Sequence, residues 1–78
     1  MSEPENIIAE LESEFVELYK ILKFEGLADS GGNAKQAIHE GLVSVNGEVE
    51  TRKRKKIRPG DQIDFIDHHI EVIGKTGD

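Results

Sequence analysis

The stretch Leu42-Val43-Ser44-Val45-Asn46-Gly47-Glu48-Val49 leaves this chain the least conformational freedom. Apolar and polar residues alternate on both sides of Asn46-Gly47, the two-residue period of a strand with one buried face. An Asn-Gly pair at the centre suits a two-residue turn that needs positive φ at both positions. A tight antiparallel hairpin is therefore predicted. A second turn signal, Pro59-Gly60-Asp61, precedes alternation at Ile63 and Phe65. The chain is then expected to reverse at Asp67-His68 and to run through a fourth strand at Ile70 and Val72.

Upstream of the hairpin the apolar period changes. Ile8, Leu11, Phe15, Leu18 and Leu22 are spaced like one face of an amphipathic helix, predicted over about 7–24 and stopped by Gly26. Lys20 and Lys23 suit the negative end of that helix. Asp29 or Ser30 is a good N-cap for a shorter helix over about 32–40, with Ala34, Ala37 and Ile38 as its apolar face and Gly41 as its stop. The expected architecture is α+β: two N-terminal helices packed on a small antiparallel sheet of about four strands. With 78 residues there is room for one domain, expected over 7–74, between a flexible start at 1–6 and a flexible tail at 75–78.

Charge is distributed unevenly. The net charge is −6, yet residues 1–19 hold six Glu and no Lys or Arg, and the remainder is balanced. Six of the ten basic residues fall within seven positions: Arg52, Lys53, Arg54, Lys55, Lys56 and Arg58. A polyanion responds to that local cluster rather than to the total. In an extended segment Arg52, Arg54 and Lys56 would face one way, Lys53 and Lys55 the other. Ser30-Gly31-Gly32 opens the second helix, where free backbone N–H groups and a partial positive charge suit a phosphate. Lys35 and His39 follow on the same helix.

Other classes find little support. No apolar run reaches the length of a membrane span or a signal-peptide core. The chain has no Cys, so disulfides and thiolate metal sites are excluded. Asp67-His68-His69 lacks further ligands at a fixed spacing, and no metal or other cofactor is expected. No nucleophile motif or paired-carboxylate frame is present, and Gly31-Gly32 lacks the Lys-Ser/Thr ending of a P-loop. The few aromatics, Phe15, Tyr19, Phe24 and Phe65, read as core or core margin rather than as base-stacking platforms.

Over 18–61 the ordered set Leu18, Leu22, Leu27, Ser30, Ala34, Ile38, Gly41, Val43, Val45, Asn46, Gly47, Pro59, Gly60 and Asp61 resembles the S4-like RNA-binding domain, or αL motif. Ser30-Gly31-Gly32 and Val49-Glu50-Thr51-Arg52 resemble most the small free-standing bacterial YbcJ-like members. Many members of the family carry an RNA-contacting Arg directly after the helix-opening Ser, where this chain has Gly31. The resemblance implies a non-catalytic module for structured RNA, rRNA or tRNA, in ribosome assembly or translation. The RNA-binding residues it implies are Lys20, Lys23, Ser30, Gly31, Gly32 and Lys35, with Arg52, Lys53, Arg54, Lys55, Lys56 and Arg58. A cytoplasmic monomer is expected. Two other readings stay open: a protein-interaction module that meets a basic partner through its acidic first helix, and a subunit of a split RNA-modification enzyme.

Overall fold

The computed structural model describes residues 5–75. The elements, in order, are β1 (Glu5–Leu11), β2 (Val16–Glu17), α1 (Leu18–Phe24), α2 (Gly31–His39), β3 (Val43–Val45), β4 (Glu48–Val49), β5 (Lys56–Ile57), β6 (Gln62–Phe65) and β7 (His68–Gly74). Five strands form one sheet in the order β1-β7-β6-β3-β4, and β2 and β5 pair separately. The α+β arrangement of two helices packed on a small sheet is as expected from the sequence.

The first helix is shorter than its periodicity predicts. Residues 5–11 form a strand parallel to β7, with Ile7 opposite Ile70 and Ala9 opposite Val72. The sheet is therefore mixed, not antiparallel throughout. Two periods coexist in this stretch: Ile8 and Leu11 fit a helix, whereas Ile7, Ala9 and Leu11 fit a strand. Pairing with β7 selects the strand, which turns Ala9 and Leu11 inward and leaves Ile8 60% exposed. The chain bends over 12–14, where the Ser13 hydroxyl donates to the Phe15 carbonyl at 2.8 Å, and α1 starts only at Leu18. Glu5 and Asn6 thus belong to a strand; the rest of the expected flexible ends, 1–4 and 76–78, lies outside the described residues.

Both helices end in the same way. Gly26 has φ 75°, and the amides of Gly26 and Leu27 donate back to the carbonyls of Lys23 and Leu22. Gly41 has φ 79°, with Gly41 and Leu42 donating to Ile38 and Ala37. This double bond satisfies the last carbonyls of each helix and needs a left-handed residue, here Gly. Ser30 caps α2 by accepting from the Asn33 amide at 3.1 Å.

The core is one apolar layer between the helices and one face of the sheet. Val45, Ile63 and Ile70 stand opposite one another across β3, β6 and β7, and Ile7 extends the row on β1. Leu18, Leu22, Ala34 and Ile38 cover them from the helices, all fully buried. Burying each large aliphatic contributes about 1.5–3 kcal/mol.

The two turns read from the sequence are joined to each other. Asn46 and Gly47 adopt φ 52° and 87°, as the hairpin requires. The Asn46 side chain donates to Asp61 Oδ1 at 3.0 Å and accepts from the Gln62 amide at 2.9 Å. Asp61 Oδ2 accepts from the Arg58 amide at 2.8 Å. The Asn-Gly and Pro-Gly-Asp signatures thus form a single polar lock.

The last reversal falls at Ile66-Asp67, one residue earlier than expected, since Phe65 pairs with His68. Ile66 has φ 55° and is 70% exposed. A β-branched residue is strained in that region, by about 1–2 kcal/mol. Ile66→Asn relieves the strain without removing a buried contact. The expected result is a gain of about 1 kcal/mol in urea unfolding, or a Tm higher by roughly 4–8 °C; an unchanged or lower midpoint contradicts the strain argument.

Candidate nucleic-acid interface

Six cations in seven positions would hold an isolated peptide open by mutual repulsion. Here three contacts fold the segment. β5 pairs with β2, setting Lys56 opposite Glu17 and Ile57 opposite Val16. The Lys55 amide donates to the Arg52 carbonyl at 3.1 Å, closing a turn at Lys53-Arg54. The carbonyls of Lys55 and Lys53 then accept from the amides of Leu18 and Tyr19, at 2.9 and 3.1 Å. Those two amides begin α1, whose N-cap Glu17 makes no side-chain capping bond. The basic loop itself supplies the acceptors that the start of α1 needs.

This turn overturns the expected strand-like alternation of the basic side chains. Arg52, Arg54, Lys55, Lys56 and Arg58 line one open depression, although Arg54 and Lys55 were expected on opposite faces. A second, wider groove of about 530 Å³ lies between the loop and α2. Gly32, Lys35, Gln36 and His39 form one wall, and Thr51, Arg52, Lys53 and Arg54 the other. Arg52 and Arg54 border both. Of the residues singled out in the sequence, the groove brings together Gly32, Lys35, His39, Arg52, Lys53 and Arg54. Lys23 and Lys20 line neither, and Ser30 spends its hydroxyl on capping α2. Gln36 carried no sequence signal of its own, and Thr51, Glu50 and Glu17 carried none for a place at the groove.

Two carboxylates hold the arginines. Glu50 accepts from Arg52 Nε at 2.9 Å, from Nη2 at 3.2 Å and from the Arg52 amide at 3.0 Å. This fork holds the Glu50 carboxyl down at about 2, chiefly through the side-chain hydrogen bonds from Arg52. The Arg52 guanidinium is held still more firmly in its charged form by the same contact. Glu17 lies 3.4 Å from Lys20 and 3.8 Å from Arg54. Among the described residues the Glu of 5–19 form no continuous acidic helix face: Glu10 is in β1, Glu14 in the bend, and Glu17 beside the basic loop. The acidic segment expected as the start of the first helix is instead a strand, a bend and a two-residue pair.

Tyr19 connects the two helices beside the groove. Lys35 Nζ sits 4.6 Å from its ring centre, within cation–π range, and Lys20 Nζ 6.0 Å. A Cβ on Gly31 would meet the same ring at 3.8 Å, ordinary contact. Among the described residues Lys53, Lys55 and Arg58 face no carboxylate within ion-pair distance, so their charge is available to a ligand. Nothing here resembles a metal centre. His69 Nδ1 lies 2.6 Å from Asp64, whereas the His68 ring stacks on Phe65. No three ligating side chains converge among the described residues, and none of the described helices is long and apolar enough to cross a membrane.

Comparison with known proteins decides the family: the S4 domain matches residues 9–73. The chain belongs to the S4 domain family. It is 52% identical over 58 residues to YbcJ of Escherichia coli K12, a protein named provisionally for RNA binding. The match covers 74% of this chain and 83% of that one. The YbcJ protein of Shigella flexneri, uncharacterised by name, matches over the same shares. The solution structure of E. coli YbcJ, described as revealing an αL motif involved in RNA binding, superposes with a TM-score of 0.65 at 44% identity. It covers 94% of this chain and 91% of that one. Within this S4 domain the Asn46–Asp61 lock and the Gly-closed helices belong to the frame, and the groove cations are set on it.

The Glu50–Arg52 fork has a pH signature. A depressed carboxyl contributes stability above its ordinary value of 4.5, and that contribution is lost as pH falls from 4.5 toward 2. Urea unfolding of wild type and Glu50→Gln across pH 2–7 is expected to show a wild-type advantage that is constant near neutrality and closes below pH 4.5. A difference independent of pH would remove the fork as its source.

Proposed function

We propose that this S4 domain is a non-catalytic module that binds structured RNA, gripping the phosphate backbone in the groove between α2 and the 51–54 loop. The observation that carries the reading is the convergence of Lys35, Arg52, Lys53 and Arg54 on one open groove. A surface that is cationic, wide and without an aromatic floor suits A-form RNA, which proteins read by shape and backbone. Gly32 lines that groove, and the first-turn amides of α2 beside it offer hydrogen bonds to phosphate. Lys55, Lys56 and Arg58 extend the positive surface away from α2. Ser30 and Lys20 act through the frame, one capping α2, the other pairing with Glu17. Lys23 contributes only long-range charge.

The RNA-binding name and title carried by the YbcJ relatives support the same reading. The targets proposed are folded segments of rRNA or tRNA, met by a monomer as an adaptor in translation or ribosome assembly, because phosphate contacts position a protein without reading sequence.

The decisive experiment is fluorescence anisotropy with labelled rRNA and tRNA hairpins over a salt series. About four phosphate contacts give a log–log slope near −3.6 by analogy with B-DNA, a loss of roughly 100-fold between 50 and 200 mM salt. Lys35→Ala with Lys53→Ala is expected to weaken binding to all the hairpins alike and to flatten the slope by about two. Equal binding by wild type and variant at 150 mM salt rejects the groove. A gain is also expected. Gly31→Arg places a cation beside the first turn of α2, with room against Tyr19, and tightens binding several-fold while steepening the slope by about one.

A further inference from the structure

Away from the basic loop, β1 and α1 enclose a second groove, of about 240 Å³. β1 ends the strand order, so its outer edge meets no further strand and its outward amides and carbonyls are unpaired within the sheet. Ala9, Leu11 and Ile21 form an apolar floor, and Phe24 stands over it, 70% exposed. Glu10, Glu12 and Glu25 contribute the only charges of the lining. Lys75 reaches one of them, Glu12, at 3.9 Å.

We propose that this groove receives an extended, cationic peptide segment of a partner protein, which adds as a strand along β1. Each part of the surface specifies a part of the occupant. An open strand edge offers main-chain hydrogen bonds to an extended peptide, and pockets beside it select alternate side chains. The apolar floor and Phe24 take every second side chain. The carboxylates select lysine or arginine at the others, and the same charge repels nucleic acid. The segment meets a face separate from the RNA groove: no residue is shared between the two linings. One chain would then hold RNA by one face and a basic protein tail by another.

The test is an amide-shift titration of the ¹⁵N-labelled full chain with a synthetic octapeptide of alternating arginine and leucine. Expected are shifts confined to 9–13, Val16, Ile21, Phe24 and Glu25. Affinity should fall at least tenfold in Phe24→Ser and in Glu10→Gln with Glu12→Gln and Glu25→Gln. The peptide N-methylated at alternate amides should bind at least tenfold more weakly, since it cannot pair with a strand edge. RNA binding by Phe24→Ser should match wild type and that by the glutamine variant should be no weaker, which also shows that they fold and keeps this result separable from the RNA reading. Four outcomes overturn the proposal. The first is shifts centred on the basic loop, and the second is equal binding of a glutamate–leucine octapeptide. The third is no binding at millimolar peptide. The fourth is a concentration-dependent dimer abolished by Phe24→Ser, which would assign the groove to a second copy of this chain.

Discussion

Two backbone hydrogen bonds, from the amides of Leu18 and Tyr19 to the carbonyls of Lys55 and Lys53, hold this structure's architecture and its charge together. A helix start leaves N–H groups without partners, and most chains satisfy them with a Ser, Thr, Asp or Asn side chain. Glu17 does not do this for α1. The acceptors come instead from the most cationic stretch of the chain. Its main chain is drawn against the helix layer, and Lys53 is left exposed. A segment that repels itself is thereby fixed in shape. The cost of crowding is offset by Glu50 and Glu17, each placed against an arginine at the rim. Exposed pairs of this kind contribute little to stability singly. Their effect lies in orienting two guanidinium groups that border both cationic depressions.

The same economy governs the turns. Asn46, Gly47, Gly60 and Asp61 look from the sequence like two independent punctuation marks, and the structure makes them one polar lock. The lock fixes β3 against β6 and so sets the register that aligns Val45, Ile63 and Ile70. A one-residue slip there would turn that row to solvent. The residues that announce the S4 family are thus mainly those that hold its frame. The chemistry is carried by side chains set on that frame, which is why fold alone leaves the ligand to be argued from the site.

Local signals were legible where the structure is local. The Asn-Gly hairpin, the Ser30 cap, the glycine-closed helices and the basic cluster each depend on residues a few positions apart. The strand β1 was not legible, because Ile7 to Leu11 satisfies a helical and a strand period equally well. What decides between them is β7, at the opposite end of the chain. Nothing near Ile7 reports that a parallel partner will arrive. The shape of the basic loop was hidden for a similar reason. Lys53 and Arg54 carry no turn preference, and their reversal is imposed by the helix they cap. The reversal at Ile66-Asp67 reads one residue late in the sequence because Ile is a poor residue for it, and the register of β6 with β7 overrides that preference.

The separation of charge resolves an apparent conflict between a net charge of −6 and a cationic groove. At physiological ionic strength the screening length is about 8 Å, so a ligand at the groove feels Lys35, Arg52, Lys53 and Arg54 far more than Glu10 or Glu25 on the other side of α1. Dilution of salt lengthens that range and brings the distant carboxylates into play. Counterion release then favours a polyanion while the molecule's total charge opposes it. Under the proposed RNA reading the acidic edge would turn a polyanion toward the basic loop, most strongly at low salt, because β1 and the basic loop divide the charge between two faces.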